Sequence, residues 1–485
     1  MSELPVPKWA VRVAEGLGAG PHVVVTGISP SGNIHNLREV LVGEAVANAL
    51  RARGEEVRFV FHADTVDPLR KIAPGIPESF EEFMGHSLSR VPDPEGCHAS
   101  YAEHFLAPFE EALREMAMDV EVLRSHELYE GGVYTEVTRE ALEHTAELRG
   151  ILQEVTGRAM PEGWSPYLPR AASGKLTGAR ILEHVPEESK VVYVDEDGFE
   201  DAADYSKGEG KLGWRVELAA RWKTLGVTFE PFGKDHTSRG SSTDTADRMV
   251  CEVFHYPVPG RHEYEWISIK GKGPMSSSKG IVLLPKDLLR IMPPDVLRRM
   301  MLGRDPARAL ELDLGEGFPR FMDEYRAETE SYPAPFNHLV TVAQTVGEDV
   351  DAAAEMLRRG GYEEAARDRE TLARDLAYAR NWAEERAPES VRVRLLSAEE
   401  AREAEEGLDD EQRGYLAAVA EKLSPELDGE AVQDLLYSTA LERGLKPKKA
   451  FAAVYRVLLG KTSGPKAGPF VAGLPVEMVR ERFSV

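Results

Sequence analysis

Residues Lys270–Gly280 read Lys-Gly-Lys-Gly-Pro-Met-Ser-Ser-Ser-Lys-Gly, which brings three lysines, three consecutive serines and three glycines into one short stretch. Glycine reaches backbone conformations closed to other residues, so such a loop can approach a ligand closely. The lysines and hydroxyls supply charge and hydrogen bonds suited to a triphosphate whose charge builds up during reaction. Read alone, the stretch is a solvated Gly/Ser linker. A second stretch changes that reading. Val23-Val24-Val25-Thr26-Gly27 has the pattern of a buried parallel strand. Ile28-Ser29-Pro30-Ser31-Gly32-Asn33-Ile34-His35-Asn36 follows, and then a helical pattern from Leu37 to Arg53 that Gly54 stops. Strand, Gly/Ser/His turn and helix N-terminus form a phosphate-binding arrangement, because free N–H groups and the helix dipole face the turn. The alternative is an ordinary strand–helix loop with a chance histidine.

Other residues of suitable type stand at the ends of expected elements. Asp64 and Asp67 follow the strand-like Val57–Ala63. They are either solvated or capping groups, or carboxylates that pair with a substrate ammonium. Cys97, His98 and His104 flank a helix start. Zinc takes four ligands of suitable spacing and no second cysteine is near, so a helix-terminus or core role is expected there. Lys446, Lys448, Lys449, Arg456, Lys461 and Lys466 occur in a span without one acid, interleaved with Phe451 and Tyr455. Such a helix offers charge for phosphates and rings for stacking on single-stranded bases. It is otherwise a helix with snorkelling lysines.

The elements that must position these residues alternate. Strands at Val23–Gly27, Val57–Ala63 and Val120–Leu123 are separated by helices at Leu37–Arg53 and Ala102–Ala117. That rhythm predicts an α/β fold with a doubly wound, Rossmann-like parallel sheet, whose ligands lie outside the carboxyl ends of the strands. Residues 136–225 read as an insertion, with a helix near Thr138–Glu154 and a strand at Val191–Asp195. The sheet resumes at Gly226–Gly233, runs into Lys234-Asp235-His236, and leads to a helix at Asp244–Val253; an alternating run, Glu265–Ile269, precedes the lysine-rich loop. Beyond Leu302 the chain reads as charged helices. The expected division is 1–135 and 226–302 for the two halves of the sheet domain, 136–225 for the insertion, 303–345 for a linking helical region and 346–485 for an all-α domain.

A length of 485 residues allows several domains with ample core. The 59 basic and 83 acidic residues leave a formal net charge of −24, so any nucleic-acid surface must be a local basic patch. Two cysteines exclude a disulfide framework and suit a reducing cytoplasm. Met1–Gly20 lacks the apolar core of a signal peptide, and no apolar run reaches the roughly 20 residues that cross a bilayer. A cytoplasmic monomer with no membrane partner is expected.

Taken together, the two loops resemble the HIGH and KMSKS signatures of class I aminoacyl-tRNA synthetases. Surrounding segments narrow the resemblance to class I lysyl-tRNA synthetases: Gly27–Gly32, Asn36-Leu37-Arg38-Glu39, Val91-Pro92-Asp93-Pro94, Gly96-Cys97-His98, Ser100–Phe105, Arg221-Trp222, Phe229-Glu230-Pro231, Gly233–His236, Gly240-Ser241-Ser242 and Tyr455–Gly460. The resemblance runs from about residue 8 to the end. It implies ATP-dependent attachment of L-lysine to tRNA(Lys) through a lysyl-adenylate, with ATP and its Mg²⁺ as cofactors. His35, Asn36, Lys272 and Lys279 would be catalytic. Ser29, Pro30, Ser31, Gly32, Asn33, His35, Gly233, Asp235, His236, Met275, Ser276, Ser277, Ser278 and Lys279 would hold ATP or the adenylate. Gly27, Ser29, Asp64, Trp222 and His236 would hold lysine; Trp222 is equally a core residue. Residues 136–225 become a connective domain, and the C-terminal helices an anticodon-binding domain that meets tRNA through Lys446, Lys448, Lys449, Phe451, Tyr455 and Arg456.

Three departures accompany the resemblance. Two residues of the HIGH region are missing, so either His35 or Asn33 takes the first histidine's place. Pro274 stands where the first KMSKS lysine is expected. Many family members carry a cysteine-rich zinc insertion, whereas residues 160–206 contain no cysteine, so no structural zinc is expected. The altered signatures keep two rivals open: a catalytically weak paralogue that binds tRNA or adenylate, and an enzyme that lysylates another acceptor.

Overall fold

The computed structural model describes residues 6–28, 32–274, 283–329 and 334–484. The chain divides into two compact units, residues 1–287 with 297–312, and residues 288–296 with 313–485.

In chain order the first unit contains β1 (His22–Ile28), β2 (Val57–Ala63) and β3 (Glu121–Arg124), then five short strands of an insertion, β4 (Tyr167–Pro169), β5 (Arg180–Val185), β6 (Lys190–Val194), β7 (Glu200–Asp204) and β8 (Gly210–Leu212). It continues with β9 (Phe229–Gly233), β10 (Gly260–Tyr264), β11 (Ile267–Ile269), β12 (Gly273–Pro274) and β13 (Leu310–Leu312). The main sheet has the order β10-β9-β1-β2-β3 and all its pairings are parallel. The chain first winds outward through β2 and β3, then returns to the other side of β1 for β9 and β10. The strand order therefore reverses between β1 and β9, where a doubly wound sheet opens its ligand crevice.

Val24 and Val25 are fully enclosed, as a central parallel strand requires. The helices of this unit are α1 (Lys8–Gly16), α2 (Ile34–Ala52), α3 (Tyr101–Glu115), α4 (Ser125–Glu130), α5 (Thr135–Glu143), α6 (Thr145–Thr156), α7 (Trp214–Leu225), α8 (Lys234–Thr237) and α9 (Ser242–Glu252). Helix α2 is buried almost all round, from Leu37 to Ala47, rather than along the single stripe expected. Gly43 lets it lie close on the sheet: a Cβ there would stand 2.7 Å from Thr26 Cγ2 and 2.9 Å from Phe59 Cε2. On its outer side Glu44 receives Arg298 at 3.0 Å.

Several expected boundaries move. The helix near Thr138–Glu154 is two helices, because His144 leaves the helical region and serves both as the end of α5 and the start of α6. Neither glycine nor proline marks that break in the sequence. The run Glu265–Ile269 is strand only from Ile267, and β10, in front of it, was not foreseen. The insertion holds a small antiparallel sheet, β5-β6-β7, whose Val191, Tyr193, Ala203 and Tyr205 join the core of the sheet domain.

Short helices α10 (Pro285–Leu289) and α11 (Pro294–Leu302) lead to the second unit, which is helical. Its helices are α12 (Phe318–Thr329), α13 (Phe336–Val346), α14 (Val350–Arg359), α15 (Arg369–Glu385), α16 (Ala398–Glu405), α17 (Asp410–Lys422), α18 (Gly429–Glu442), α19 (Pro447–Leu459), α20 (Ala467–Gly473) and α21 (Val476–Phe483). Asp349, Asp368, Ser397, Asp409 and Asp428 cap the N-termini of α14 to α18 with side-chain oxygens. Phe318, Phe336 and Trp382 form an aromatic centre, and the indole N–H of Trp382 donates to Leu314 O at 2.8 Å. No helix among the described residues is long and apolar enough to cross a membrane.

Candidate active site

A cavity of about 440 Å³ opens at the carboxyl ends of β1, β2, β9 and β10. That is a usual size for a small-ligand site. Six carboxyl side chains line it, Glu39, Asp64, Asp67, Glu217, Glu230 and Asp235, against a single guanidinium, Arg221. Gly27 supplies the end of β1, and its lack of a side chain is required there. A Cβ on Gly27 would lie 2.7 Å from Arg221 Nη1.

The charges are arranged in chains. Arg221 of α7 meets Glu230 at 2.5 Å and Asp64 at 4.0 Å, and Asp64 also faces His62 Nδ1 at 3.0 Å. Lys211 of β8 is enclosed between Asp67 and Glu217, the latter at 2.5 Å. Burial alone would strip Lys211 and Arg221 of their protons, but Glu217, Asp67 and Asp64 around the one, and Glu230 and Asp64 around the other, hold both above their ordinary ranges. Burial pushes the Glu230 and Glu217 carboxyls up against the pull of those same cations. Desolvation would raise Asp64 too, yet His62, Arg221 and Lys211 keep it below the usual carboxylate range. Carboxylates outnumber cations around this space, so it suits a ligand that brings positive charge.

At the other side stands the N-terminus of α2. Asn33 caps it: its side-chain oxygen accepts from the His35 N–H at 2.8 Å, while Asn36 Oδ1 accepts from the Asn33 N–H at 3.0 Å. Gly32 is pressed on α3, where a Cβ would stand 2.4 Å from the Phe109 ring. His35 and Asn36 line the cavity. The N–H of Ile267 donates to His35 Nδ1 at 3.4 Å, which puts the imidazole proton on Nε2. Burial, and then Arg38, lower the His35 pKa, so the ring is a neutral donor. Arg38 in turn donates to the backbone carbonyls of Glu265 at 2.6 Å and Arg308 at 3.1 Å.

The remaining expected residues fall as follows. Asp235 and His236 lie in the lining, and Gly233 ends β9 with its α-carbon close to Asp235 Oδ1. His236 Nδ1 lies 3.2 Å from Ser242 Oγ, and its carbonyl accepts from Ser241 and Thr243. Lys272 is exposed in the β11–β12 turn, whose Gly271 and Gly273 have φ of +78° and +76°. Ser29, Pro30, Ser31, Met275, Ser276, Ser277, Ser278 and Lys279 lie outside the described residues. Trp222 is a correction: it is wholly enclosed, donates from Nε1 to Glu230 Oε2 at 2.5 Å, and is not part of the lining. The tryptophans that face the cavity are Trp214 and Trp266. Glu39, Glu217, Leu218, Phe232 and Tyr264 were also missed. Their signal was position, since each sits one residue before a strand end or on the turn of helix beside one.

A second cluster overturns the sequence argument against a metal at Cys97. That argument looked for a second cysteine and left out Asp93. Ligand atoms of Asp93, Cys97, His98 and His104 all lie within 4.8 Å of one another. Cys97 Sγ is 3.0 Å from His98 Nδ1 and 3.4 Å from His104 Nδ1; Asp93 is 3.4 Å from the first ring and 3.1 Å from the second. Ligand bonds of about 2.0–2.3 Å in a tetrahedron imply edges of about 3.3–3.8 Å, so the four atoms are nearly at zinc spacing.

On α19, Lys446 and Lys448 are exposed. Lys449 pairs with Asp409 and Glu411 at 2.7 Å each, and Arg456 donates to Gly407 O at 2.7 Å. Phe451 is half-buried, and Tyr455 is buried with its hydroxyl on Pro465 O, which leaves that ring no open face for a base.

Residues 8–351 match the family model described as tRNA synthetases class I (K). Lysine–tRNA ligase of Archaeoglobus fulgidus is 39% identical, over 98% of this chain and 99% of its own. Lysine–tRNA ligase 1 of Methanosarcina acetivorans is 36% identical over 98% and 97%, and the Methanocaldococcus jannaschii enzyme 35% over 98% and 99%. With that family model over most of the chain and such identity over nearly all of it, the chain belongs to the class I lysyl-tRNA synthetases.

Proposed function

We propose that this chain joins L-lysine to tRNA(Lys) in two steps. The lysine carboxylate attacks the α-phosphorus of ATP and pyrophosphate leaves; a ribose hydroxyl of the terminal adenosine then attacks the lysyl carbonyl and AMP leaves. The observation that supports lysine is the carboxylate excess around the cavity, Asp64, Asp67 and Glu217 above all. No covalent enzyme intermediate is needed, so the protein contributes positioning and fixed charge.

In this reading the α2 N-terminus and the neutral Nε2–H of His35 donate to phosphate oxygens. Asn33 caps the helix rather than touching ligand, so His35 takes the histidine role. Lys272 and Lys279 stabilise departing pyrophosphate, with Mg²⁺ arriving on ATP. Asp235 and His236 face the adenylate, and the helical unit from residue 346 takes the anticodon, with Lys446 and Lys448 on phosphates. Asp93, Cys97, His98 and His104 fit a structural zinc that would fix the start of α3, the helix on which Gly32 rests.

Lysine-dependent exchange of pyrophosphate into ATP tests the reaction. Exchange with lysine, and not with arginine or glutamate, is expected. Exchange driven by another amino acid, or none with any, would return the chain to the weak-paralogue reading. Metal analysis should find one zinc per chain, absent from Cys97→Ser.

A further inference from the structure

The cavity wall contains a carboxyl that neither signature loop accounts for. Glu39 stands on α2, one turn beyond His35, and is 8% exposed. One of its oxygens accepts from the backbone N–H of Gly27 at 3.0 Å; the other accepts from the Tyr264 hydroxyl at 2.5 Å. Gly27 lies at the end of β1 and Tyr264 at the end of β10, two strands away across β9. All three residues line the cavity. One side chain thus ties a helix to two strand ends at the place where the ligand must sit.

The direction of these bonds decides what the wall can receive. A Tyr264 hydroxyl whose proton is committed to Glu39 turns its oxygen lone pairs to the cavity, and so accepts hydrogen bonds. An ammonium, which only donates, is welcome there; a carboxylate is not. We propose that Glu39 is a positioning residue that makes Tyr264 an acceptor at the amino-acid end of the cavity, and thereby sets the preference for an ammonium-bearing substrate. This rests on the reading of the cavity as a lysine site.

The surroundings of Glu39 give it a second signature. Burial pushes its carboxyl up to about 8, although the bonds from Tyr264 and Gly27 pull it down. Glu230 of β9 adds to the rise and Arg221 of α7 opposes it. On α2 itself the nearby titratable groups are His35 and Arg38. A substrate ammonium at this wall favours the ionised carboxyl, so lysine binding releases a proton and tightens as pH rises towards 8.

The test measures lysine-dependent pyrophosphate exchange by the full chain and by Glu39→Ala, Glu39→Gln, Tyr264→Phe and the Ala/Phe double variant, from pH 6.5 to 8.5. Loss of a hydrogen bond to a charged group predicts about a 10-fold rise in KM for lysine in Glu39→Ala. KM for ATP should not move and kcat should change little. Glu39→Gln, which keeps one acceptor, should fall between, and should lose the pH dependence of KM. The double variant should be no worse than either single one, because Glu39 acts through Tyr264. Wild-type KM in Glu39→Ala, additive losses, or equal damage to KM for ATP and lysine would each overturn the proposal while leaving the lysine reading intact. A wild-type enzyme that exchanges with no cationic amino acid would overturn both.

Discussion

Around the cavity, Arg221 and Lys211 are enclosed and each is shared between two carboxylates. On α19, Lys446 and Lys448 face solvent, while Lys449 answers two acids at the start of α17. The two regions have charges of the same kinds and opposite energetics. An enclosed cation is held by its partners and cannot leave them without exposing buried carboxylates; an exposed one is screened and costs little to move. The first arrangement can fix the shape and sign of a site. The second can exchange water and counterions for a polyanion. Titration separates the regions as well. Glu39 beside the cavity is raised, whereas His338 in the helical unit is lowered to about 4 by burial, so the two regions lose stability in opposite pH directions.

The largest effect is expected at Arg221. Replacing it with methionine leaves Glu230 and Asp64 buried without their cation. Breaking one side of a buried pair costs about 3–5 kcal/mol, which denaturant unfolding of the sheet unit would read. A loss below about 1 kcal/mol would mean that water reaches these carboxylates and that the enclosed arrangement described here is wrong.

Next in size is the acid response of the helical unit. His338 is 8% exposed and its Nε2 has no hydrogen-bond partner among the described residues. Its folded pKa lies below the unfolded value of 6.5, so the unfolded chain binds the proton first. Stability from this group is full above pH 6.5 and is lost as pH falls through about 4, on the order of 3 kcal/mol in all. His338→Phe should flatten that decline. Glu39 has the reverse sign: its contribution is full below about pH 4.5 and disappears as pH rises through about 8. Unfolding measured across both windows in wild type, His338→Phe and Glu39→Gln should therefore show two separate losses, each removed by one substitution.

How much of this was legible beforehand follows from what each feature depends on. Strand β1 and the α2 turn were readable because a β-branched run, a Gly/Ser turn and a capping asparagine are local signals. So was the order of winding, since alternation of strand and helix is itself sequential. The acidic wall was only half readable. Asp64 and Asp67 follow a strand end directly, but Glu217 and Glu230 reach the cavity through α7 and β9, far along the chain. Trp222 was misread for a related cause: helix α7 turns its Leu218 and Trp214 to the cavity and Trp222 to Glu230, and which face turns inward depends on packing. The Asp93–Cys97–His98–His104 group shows the same limit. Its ligands span only twelve residues, yet the carboxylate counts as a ligand only once its turn has folded onto the rings. On α19 the span without acids suggested a free basic face, and the acids that answer Lys449 come from α17.

The smallest effects test the α19 side of the comparison. Charge reversal of Lys446 and Lys448 should weaken tRNA binding and lower the slope of log affinity against log salt by roughly one for each lysine that contacts phosphate. Lysine-dependent exchange without tRNA should persist, since the sheet unit carries that chemistry. Lys449→Ala should do less. Its ammonium already has Asp409 and Glu411, so its loss removes an exposed pair worth about 1 kcal/mol or less and little affinity for RNA. Filter binding at two salt concentrations, with exchange measured on the same preparations, distinguishes the outcomes. A Lys449 variant that lost as much salt dependence as the other two would show that its ion pairs open when RNA binds. Unchanged binding in all three would make α19 a solvated helix face and move the RNA contact elsewhere on the helical unit.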